Sequence, residues 1–329
     1  MNKDKILEIL KVKSGEIVSG GFIANKLNIS RNAVWKNINL LKNEGYDISS
    51  IKNRGYMLNS NISYLNKEEI EKFLNTILIG RELEIVESID STLNYFKNME
   101  NSEKREGRTI IANEQTLGRG RRGRSFFSPK NSNAFISVLL KPKFSVSDIN
   151  LITIICGLSV VEAVKEICGI DCDIKWVNDV YINGKKICGI LTEGILSVEN
   201  GSIDSVIIGV GININRPKDT PVPKEIEDIV GFVNDFTGKK ENRNKFIAKF
   251  LNAFEKRYIN FDKKALYEEY KEKMLYLNEK VTCFIGNETI QGTLVDLNKD
   301  FSIKIKTNEG EIRNFNSGEI SLRKRGIKM

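Results

Sequence analysis

The chain of 329 residues contains no histidine. Without an imidazole, a Ser-His-Asp triad, a Cys-His pair and a His-ligated zinc or haem are excluded, so proton transfer falls to lysine, aspartate or glutamate. Proline is scarce, at 5 residues, and the five cysteines (Cys156, Cys168, Cys172, Cys188 and Cys283) are odd in number and include no CxxC pair. That pattern argues against disulfides and metal clusters and for a reduced cytoplasmic setting, as does the lack of a secretory apolar segment after Met1. Long apolar runs are missing too. The longest, residues 151–164, is too short to span a bilayer and reads as a buried helix, so no membrane association is expected. Neither a GxxxxGK[ST] loop nor a helix-opening GxGxxG occurs, which removes the P-loop and dinucleotide-fingerprint readings.

What is present is an ordinary globular composition with a basic bias. Hydrophobic residues make up 40% and charged residues 29% of a chain long enough for two or three domains, each able to bury a core. Of the net charge of +8, residues 1–62 supply five, from ten Lys/Arg against five Asp/Glu. Within them, apolar residues at helical spacing over 5–12, a short helix over 22–27, a turn at Asn28 and Ile29, and Ser30 as N-cap of a helix over 31–43 outline a helix-turn-helix. Strands at 47–51 and 56–58 around Lys52-Asn53-Arg54-Gly55 add a wing. The third helix offers Arg31, Asn32, Lys36 and Asn39 to a major groove, and Lys52 and Arg54 at the wing tip suit phosphates. Gly21, Phe22, Ser30, Ala33 and Trp35 complete the candidate DNA-contact set. Winged helices also serve as dimerisation or protein-contact modules, but the agreement of motif and charge favours DNA. One such module binds weakly, so a homodimer reading two half-sites is expected.

A polar linker at 59–65 precedes a mixed α/β region. A helix is expected at 67–74, strands at 83–86, 109–112, 134–140, 173–176, 180–182, 187–193 and 205–214, and long helices at 149–168 and 243–260. From Lys280 the pattern changes to short alternating strands at 281–285, 289–296, 302–307 and 311–314, which suggest a small β-barrel. The expected domains are therefore 1–62, 66–272 and 277–326.

Three segments of the middle region could carry chemistry. Gly118-Arg119-Gly120-Arg121-Arg122-Gly123-Arg124 forms a loop of little intrinsic order and dense positive charge, suited to closing over an anion, with arginine favouring bidentate phosphate contacts. A nucleic-acid tail, a localisation signal and a plain exposed loop are the competing readings; its position between two strand-like runs argues against a free tail. Lys175-Trp176-Val177-Asn178-Asp179 sets a cation, an aromatic ring, an amide and a carboxylate in five residues, able to meet phosphate, a ring system and magnesium, or simply to end a strand in a turn. Lys185 and Lys186 at the mouth of a strand, with Gly189 after them, read equally well as surface lysines. Gly209 and Gly211 alternate in an apolar strand before Asn213, which permits close approach of a ligand or another backbone.

Taken in order, the winged helix, Asp90-Ser91-Thr92, Gln115, residues 118–124, Lys175-Trp176-Val177-Asn178-Asp179, Lys186 and Gly318-Glu319-Ile320-Ser321-Leu322-Arg323 resemble the bifunctional biotin protein ligase and biotin operon repressor family over nearly the whole chain. The resemblance implies a multidomain α+β protein: a winged helix-turn-helix, a central mixed α/β catalytic domain of the biotin/lipoate ligase type, and a C-terminal SH3-like β-barrel. It implies a cytoplasmic ligase that joins biotin and ATP into biotinoyl-5′-AMP, passes the biotinoyl group to a lysine of a carboxylase's biotin carboxyl carrier protein, and represses biotin genes at operator DNA as an adenylate-bound homodimer. Ser91, Thr92, Leu93, Gln115, Gly118, Arg119, Gly120, Arg121 and Lys186 would then bind biotin and its adenylate, with Lys186, Arg119 and Arg121 stabilising the reacting charge. Lys175, Trp176, Asn178, Asp179 and Asn213 would hold ATP, and Asp179 would reach magnesium through the nucleotide. Two positions depart from the family pattern: Leu93 stands where asparagine is common, with Asn94 next, and Val177 replaces a proline. A lipoate or octanoate ligase shares the general fold, but the Gly-Arg loop and the winged helix argue against it.

Overall fold

The computed structural model describes residues 2–43, 46–59, 64–142, 149–196, 203–285, 288–316 and 320–324. The ends of the expected first and third domains, at 62 and 326, and Gly318 and Glu319 of the C-terminal motif lie outside the described residues, as does most of the expected linker. The chain begins with α1 (Asn2–Val12), α2 (Gly20–Leu27) and α3 (Arg31–Asn43), followed by the antiparallel hairpin β1 (Ile48–Ile51) and β2 (Gly55–Leu58). Ser19 caps α2 through its hydroxyl, which accepts from the Phe22 N–H, and Asn28 ends that helix in the left-handed region at φ 53. Gly55, at φ 138, packs against the Val18 backbone with no room for a Cβ. Ile6, Leu10, Ile23, Val34, Ile38 and Leu41 are among the residues of a core belonging to this module alone.

The middle of the chain runs through α4 (Lys67–Glu71), β3 (Leu83–Val86), α5 (Thr92–Lys97), β4 (Thr109–Ala112), β5 (Ala134–Leu140), α6 (Ile149–Cys168), β6 (Asp173–Lys175), β7 (Asp179–Ile182), β8 (Lys185–Leu196), β9 (Ile203–Ile212), α7 (Lys224–Glu227), α8 (Val233–Thr237), α9 (Arg243–Ile259) and α10 (Lys263–Glu272). Its seven-stranded sheet has the order β3-β4-β5-β9-β8-β7-β6, antiparallel except for β3 beside β4. Alternation along β9 explains the layering. Val206, Ile208, Val210 and Ile212 join the core under α6, a helix apolar nearly all round and buried against α9. Ile207 joins a second cluster on the opposite face, with Leu93 and Phe96 of α5. Gly209 and Gly211 continue that second face, where Leu93 and Phe126 pack close against the strand beside the site. No helix among the described residues is long and apolar enough to cross a membrane.

The tail forms β10 (Lys280–Ile285), β11 (Glu288–Leu297), β12 (Ile303–Thr307), β13 (Ile312–Phe315) and β14 (Ile320–Lys324), an antiparallel sheet of order β13-β12-β11-β10-β14. The expected barrel is thus described as a sheet that is not closed, with β13 and β14 at its edges. Residues 320–323 of the C-terminal motif fall in β14, a fifth strand beyond the four expected in this tail. Elsewhere β3, β4, β5 and α6 coincide with expectation. The strand expected at 205–214 sits two residues earlier, and the helix expected at 67–74 ends at Glu71, after which Phe73 and Leu74 turn on three-residue hydrogen bonds.

Candidate active site

One cavity of about 780 Å³ lies on the glycine face of β9 and β8. Its wall nearest α5 is a relay of polar groups. The Thr92 N–H and hydroxyl both donate to Gln115 Oε1 (2.9 and 3.0 Å), Gln115 Nε2 donates to Ser128 Oγ (3.1 Å), and Ser137 Oγ donates to Thr92 Oγ1 (2.8 Å). Ser91 is buried and caps α5, its Oγ accepting from the Leu93 N–H. The two residues at the family's asparagine position separate cleanly. Leu93 lines the cavity and packs onto Gly209, whereas Asn94 turns away and donates to Asp90 Oδ2 at 2.6 Å.

The Gly-Arg segment, expected to lack intrinsic order, is a small hairpin. Arg119 pairs with Ser125, the Gly120 N–H donates to the Arg124 carbonyl, and a 3-10 turn at Arg121–Gly123 holds Arg122 and Gly123 at positive φ. Gly118 is buried at its base, where a Cβ would fall 2.5 Å from the Phe126 carbonyl and the Ser128 hydroxyl. Arg119, Arg122 and Arg124 face solvent, while Arg121 turns inward and donates to Asn178 Oδ1 at 2.9 Å. Burial draws its guanidinium below the ordinary arginine range, opposed by the nearby Asp179 carboxylate.

Asn178 passes that contact on. Its Nδ2 donates to Asp179 Oδ1 (3.1 Å) and to the Ile190 carbonyl (3.0 Å), and Lys186 Nζ pairs with the same Asp179 oxygen at 2.7 Å. Arg121, Asn178, Asp179 and Lys186 therefore form one chain across the cavity. Lys175 lies over the Tyr181 ring. Trp176 is buried in a turn whose Trp176–Val177 peptide is cis, and its indole N–H donates to the Phe301 carbonyl, so the indole nitrogen faces the C-terminal sheet. Asn213 closes the floor, its Nδ2 within 3.4 Å of the Lys186 carbonyl.

Every expected ligand residue except Gly118 lines this cavity. Phe126 was not anticipated. Its ring lies over Gly211 and Gly189, so the close approach that those glycines permit is made by an aromatic side chain. Nor was the segment around α7, where Lys224, Ile226 and Ile229 line the rim and the Lys186 N–H donates to the Ile229 carbonyl. An aromatic pair directly after a Gly-Arg loop was the available signal for the first; the second reads in sequence as a plain polar loop. Among the described residues no group of three or more Cys, Asp or Glu could hold a metal, and Asp179, Glu225 and Asp228 are the carboxylates that line the cavity.

On the amino-terminal module Phe22, Ser30, Arg31, Asn32, Trp35, Lys36, Lys52 and Arg54 are exposed, and Gly21, Ala33 and Asn39 are half-buried. The Arg31 guanidinium lies against Gly21, where a Cβ would sit 3.0 Å from its Nη2. This face joins the start of α2, the outer side of α3 and the hairpin tip.

Residues 2–57 match the HTH domain family, residues 85–213 the biotin/lipoate A/B protein ligase family, and residues 276–323 the biotin protein ligase C terminal domain. The chain is 33% identical to the bifunctional ligase/repressor BirA of Bacillus subtilis strain 168, over 98% of both chains. Its identity to the bifunctional ligase/repressor BirA of Escherichia coli K12 is 28%, over 96% of both. Among solved structures, the biotin protein ligase of Aquifex aeolicus in complex with biotin and ATP superposes with a TM-score of 0.64 at 35% identity, covering 74% of this chain and 99% of that one.

Proposed function

The chain belongs to the family of bifunctional biotin ligase/repressors, and from that premise we propose how its residues divide the work. The protein is an ATP-dependent biotin protein ligase with a DNA-binding repressor module. In the first step a biotin carboxylate oxygen attacks the α-phosphorus of ATP, the bond to the β-phosphate breaks, and pyrophosphate leaves. In the second, the amine of a carrier-protein lysine attacks the biotinoyl carbon, AMP leaves, and the amine gives up a proton.

A single observation carries the assignment: motifs scattered from Ser91 to Asn213 line one cavity with an apolar glycine floor at one side and cations at the other. We assign biotin's polar ring to Ser91, Thr92 and Gln115, with Leu93 supplying a backbone contact and an apolar wall. Arg119, Gly120 and Arg121 lie over the adenylate, with Gly118 packed at the base of their hairpin, and Lys186 stands at the carboxylate and α-phosphate, where negative charge builds during in-line attack. Lys175, Trp176, Asn178, Asp179 and Asn213 form the nucleotide side. A magnesium ion bound there with the phosphates, with Asp179 as its protein contact, would offset phosphate charge. Pre-positioned cations suffice for this chemistry, which fits a chain without histidine.

The acceptor in this reading is the biotin carboxyl carrier protein of a carboxylase, and the exposed face of Arg31, Asn32, Lys36, Lys52 and Arg54 meets operator DNA as part of an adenylate-favoured homodimer. The five free thiols suit a cytoplasmic protein. The proposed domains are 1–62, 66–272 and 277–326, the last an SH3-like barrel. Pyrophosphate exchange into ATP with magnesium, comparing biotin, lipoate, octanoate and no acid, tests the ligase half. Exchange with biotin alone is expected, and no exchange with any acid would sink the reading.

A further inference from the structure

Two neighbouring residues in the first turn of α9 are completely buried and polar: Arg243 and Asn244, each with 0% exposure. A fully buried guanidinium is a costly way to fill a core unless its hydrogen bonds fix the groups around it. Arg243 reaches toward the ligand cavity. Its Nε donates to the Asn133 carbonyl (2.8 Å) and its Nη2 to Asn113 Oδ1 (2.9 Å). Asn133, just before β5, in turn accepts from the Ile214 N–H just past β9 (3.0 Å) and faces Asn213, which lines the cavity and contacts the Lys186 carbonyl. Arg243 thus stands behind the cavity floor, one layer removed from any ligand.

Asn244 reaches the other way. Its Nδ2 donates to the Tyr64 carbonyl (3.2 Å), and its Oδ1 accepts from the Asn66 N–H (2.9 Å). Tyr64 is buried in the core of the amino-terminal module and Leu65 in the core of the catalytic body, so Asn244 clamps the chain where one core gives way to the other. Both arms spring from the first turn of α9, which Asn242 caps by accepting from the Lys245 N–H, so the two side chains share one anchored piece of backbone.

We propose that Arg243 is a positioning residue for the adenylation cavity and that Asn244 ties the DNA-binding module to the same helical turn, making the start of α9 a joint between them. The proposal rests on the ligase reading above. Biotin and ATP settling on the floor of β9 shift what Arg243 holds, and the shift reaches Tyr64 through Asn244 within one chain.

Two measurements on the full-length protein test it. In pyrophosphate exchange with biotin, Arg243→Gln is expected to raise the KM for ATP about tenfold while leaving kcat within about twofold, and Arg243→Lys to fall between, as weakening of the charged hydrogen bonds to Asn133 and Asn113 predicts. A drop in kcat with unchanged KM in both variants would mean fewer active molecules and a merely structural role, and would overturn the first half. In hydrogen–deuterium exchange, biotin with ATP is expected to alter amide exchange in the amino-terminal module of the unsubstituted protein. Asn244→Ala should lose that response while keeping full pyrophosphate exchange. A response retained in Asn244→Ala, or absent from the unsubstituted protein, overturns the joint. No pyrophosphate exchange by the unsubstituted protein would instead sink the ligase reading, and the proposal with it.

Discussion

Gly211 decides the shape of the cavity floor by having no side chain. A Cβ there would clash with the Phe126 ring, lying 2.5 Å from Cζ, and the ring is held from behind by an edge-to-face contact with Phe135 at 6.4 Å. Gly211→Ala is therefore expected to destabilise the protein by about 1–3 kcal/mol and to raise the KM for biotin. Gly189→Ala, whose Cβ would meet Phe126 Cε2 at 3.0 Å and the flexible end of Lys186 at 3.3 Å, should cost less. Urea midpoints and exchange kinetics of the two variants check the order, and equal effects would remove the role given to Phe126. The cysteines make a second case at this scale. Burial pushes the Cys172 and Cys283 thiols up to about 12. Above an ordinary thiol value of about 9 the unfolded chain releases these protons while the folded chain keeps them, so the stability they lend is whole below about pH 9 and drains away toward pH 12. The loss should reach about 1 kcal/mol per thiol by pH 10, and Cys172→Ala should flatten the fall in urea midpoint between pH 8 and pH 10. An unchanged slope would show that other groups govern alkaline unfolding.

Elements are held by contacts that composition hides. Glu255, on the inward face of α9, accepts from three successive backbone N–H groups, those of Ile77, Leu78 and Ile79, at 2.6, 2.8 and 2.6 Å. The turn before β3 is thereby pinned to the helix behind the sheet. Glu255→Gln keeps the shape but trades a charged acceptor for a neutral one, and a loss of about 2 kcal/mol in chemical unfolding is expected. A loss below about 0.5 kcal/mol would show that water replaces the carboxylate there. Contacts of this kind mark the limit of what the sequence displays. The ends of β3, β4 and β5 are legible because each is a mostly apolar stretch flanked by charged or amide residues, and α6 because its apolar residues run with few breaks to Gly169. The helix α10 carried a readable signal, an Asp262 cap before Leu266 and Tyr270 one turn apart, while α5 spans six residues and has no periodic stripe to read. Pairing β14 with β10 joins Ile320 to Ile285, a distant partner that no local pattern announces. The ligand motifs stand out because glycine, arginine and lysine crowd together within a few residues. Phe126 and Arg243 did not, since their roles come from what the fold brings against them.

Besides the small cluster around Leu93 and Phe96, the described residues form two larger cores of unequal reach. The amino-terminal module has its own, whereas the central sheet and the C-terminal sheet share one continuous core that includes Ile174, Trp176, Tyr270, Leu294 and Phe301. Phe301 is the wedge of that seam. It sits at φ 63, in the left-handed region that costs an ordinary residue about 1–2 kcal/mol. In that position its carbonyl receives the Trp176 indole N–H, and its ring meets Tyr267 and Tyr270 edge-on at 6.0 and 6.1 Å. Tyr270 of α10 donates to the Val177 carbonyl, so the turn that ends in Asn178 and Asp179 is braced by α10 and, through Trp176, by Phe301. Calorimetry should resolve two transitions, one for the amino-terminal module and a larger one for the shared core. Phe301→Ala is expected to lower the larger transition by about 3–5 kcal/mol, leave the smaller in place, and weaken adenylation through the loosened Asn178 and Asp179. If the variant lost stability but kept its KM for ATP, the C-terminal sheet would brace the fold without setting the nucleotide side. If both transitions moved together, the two cores would be one cooperative unit.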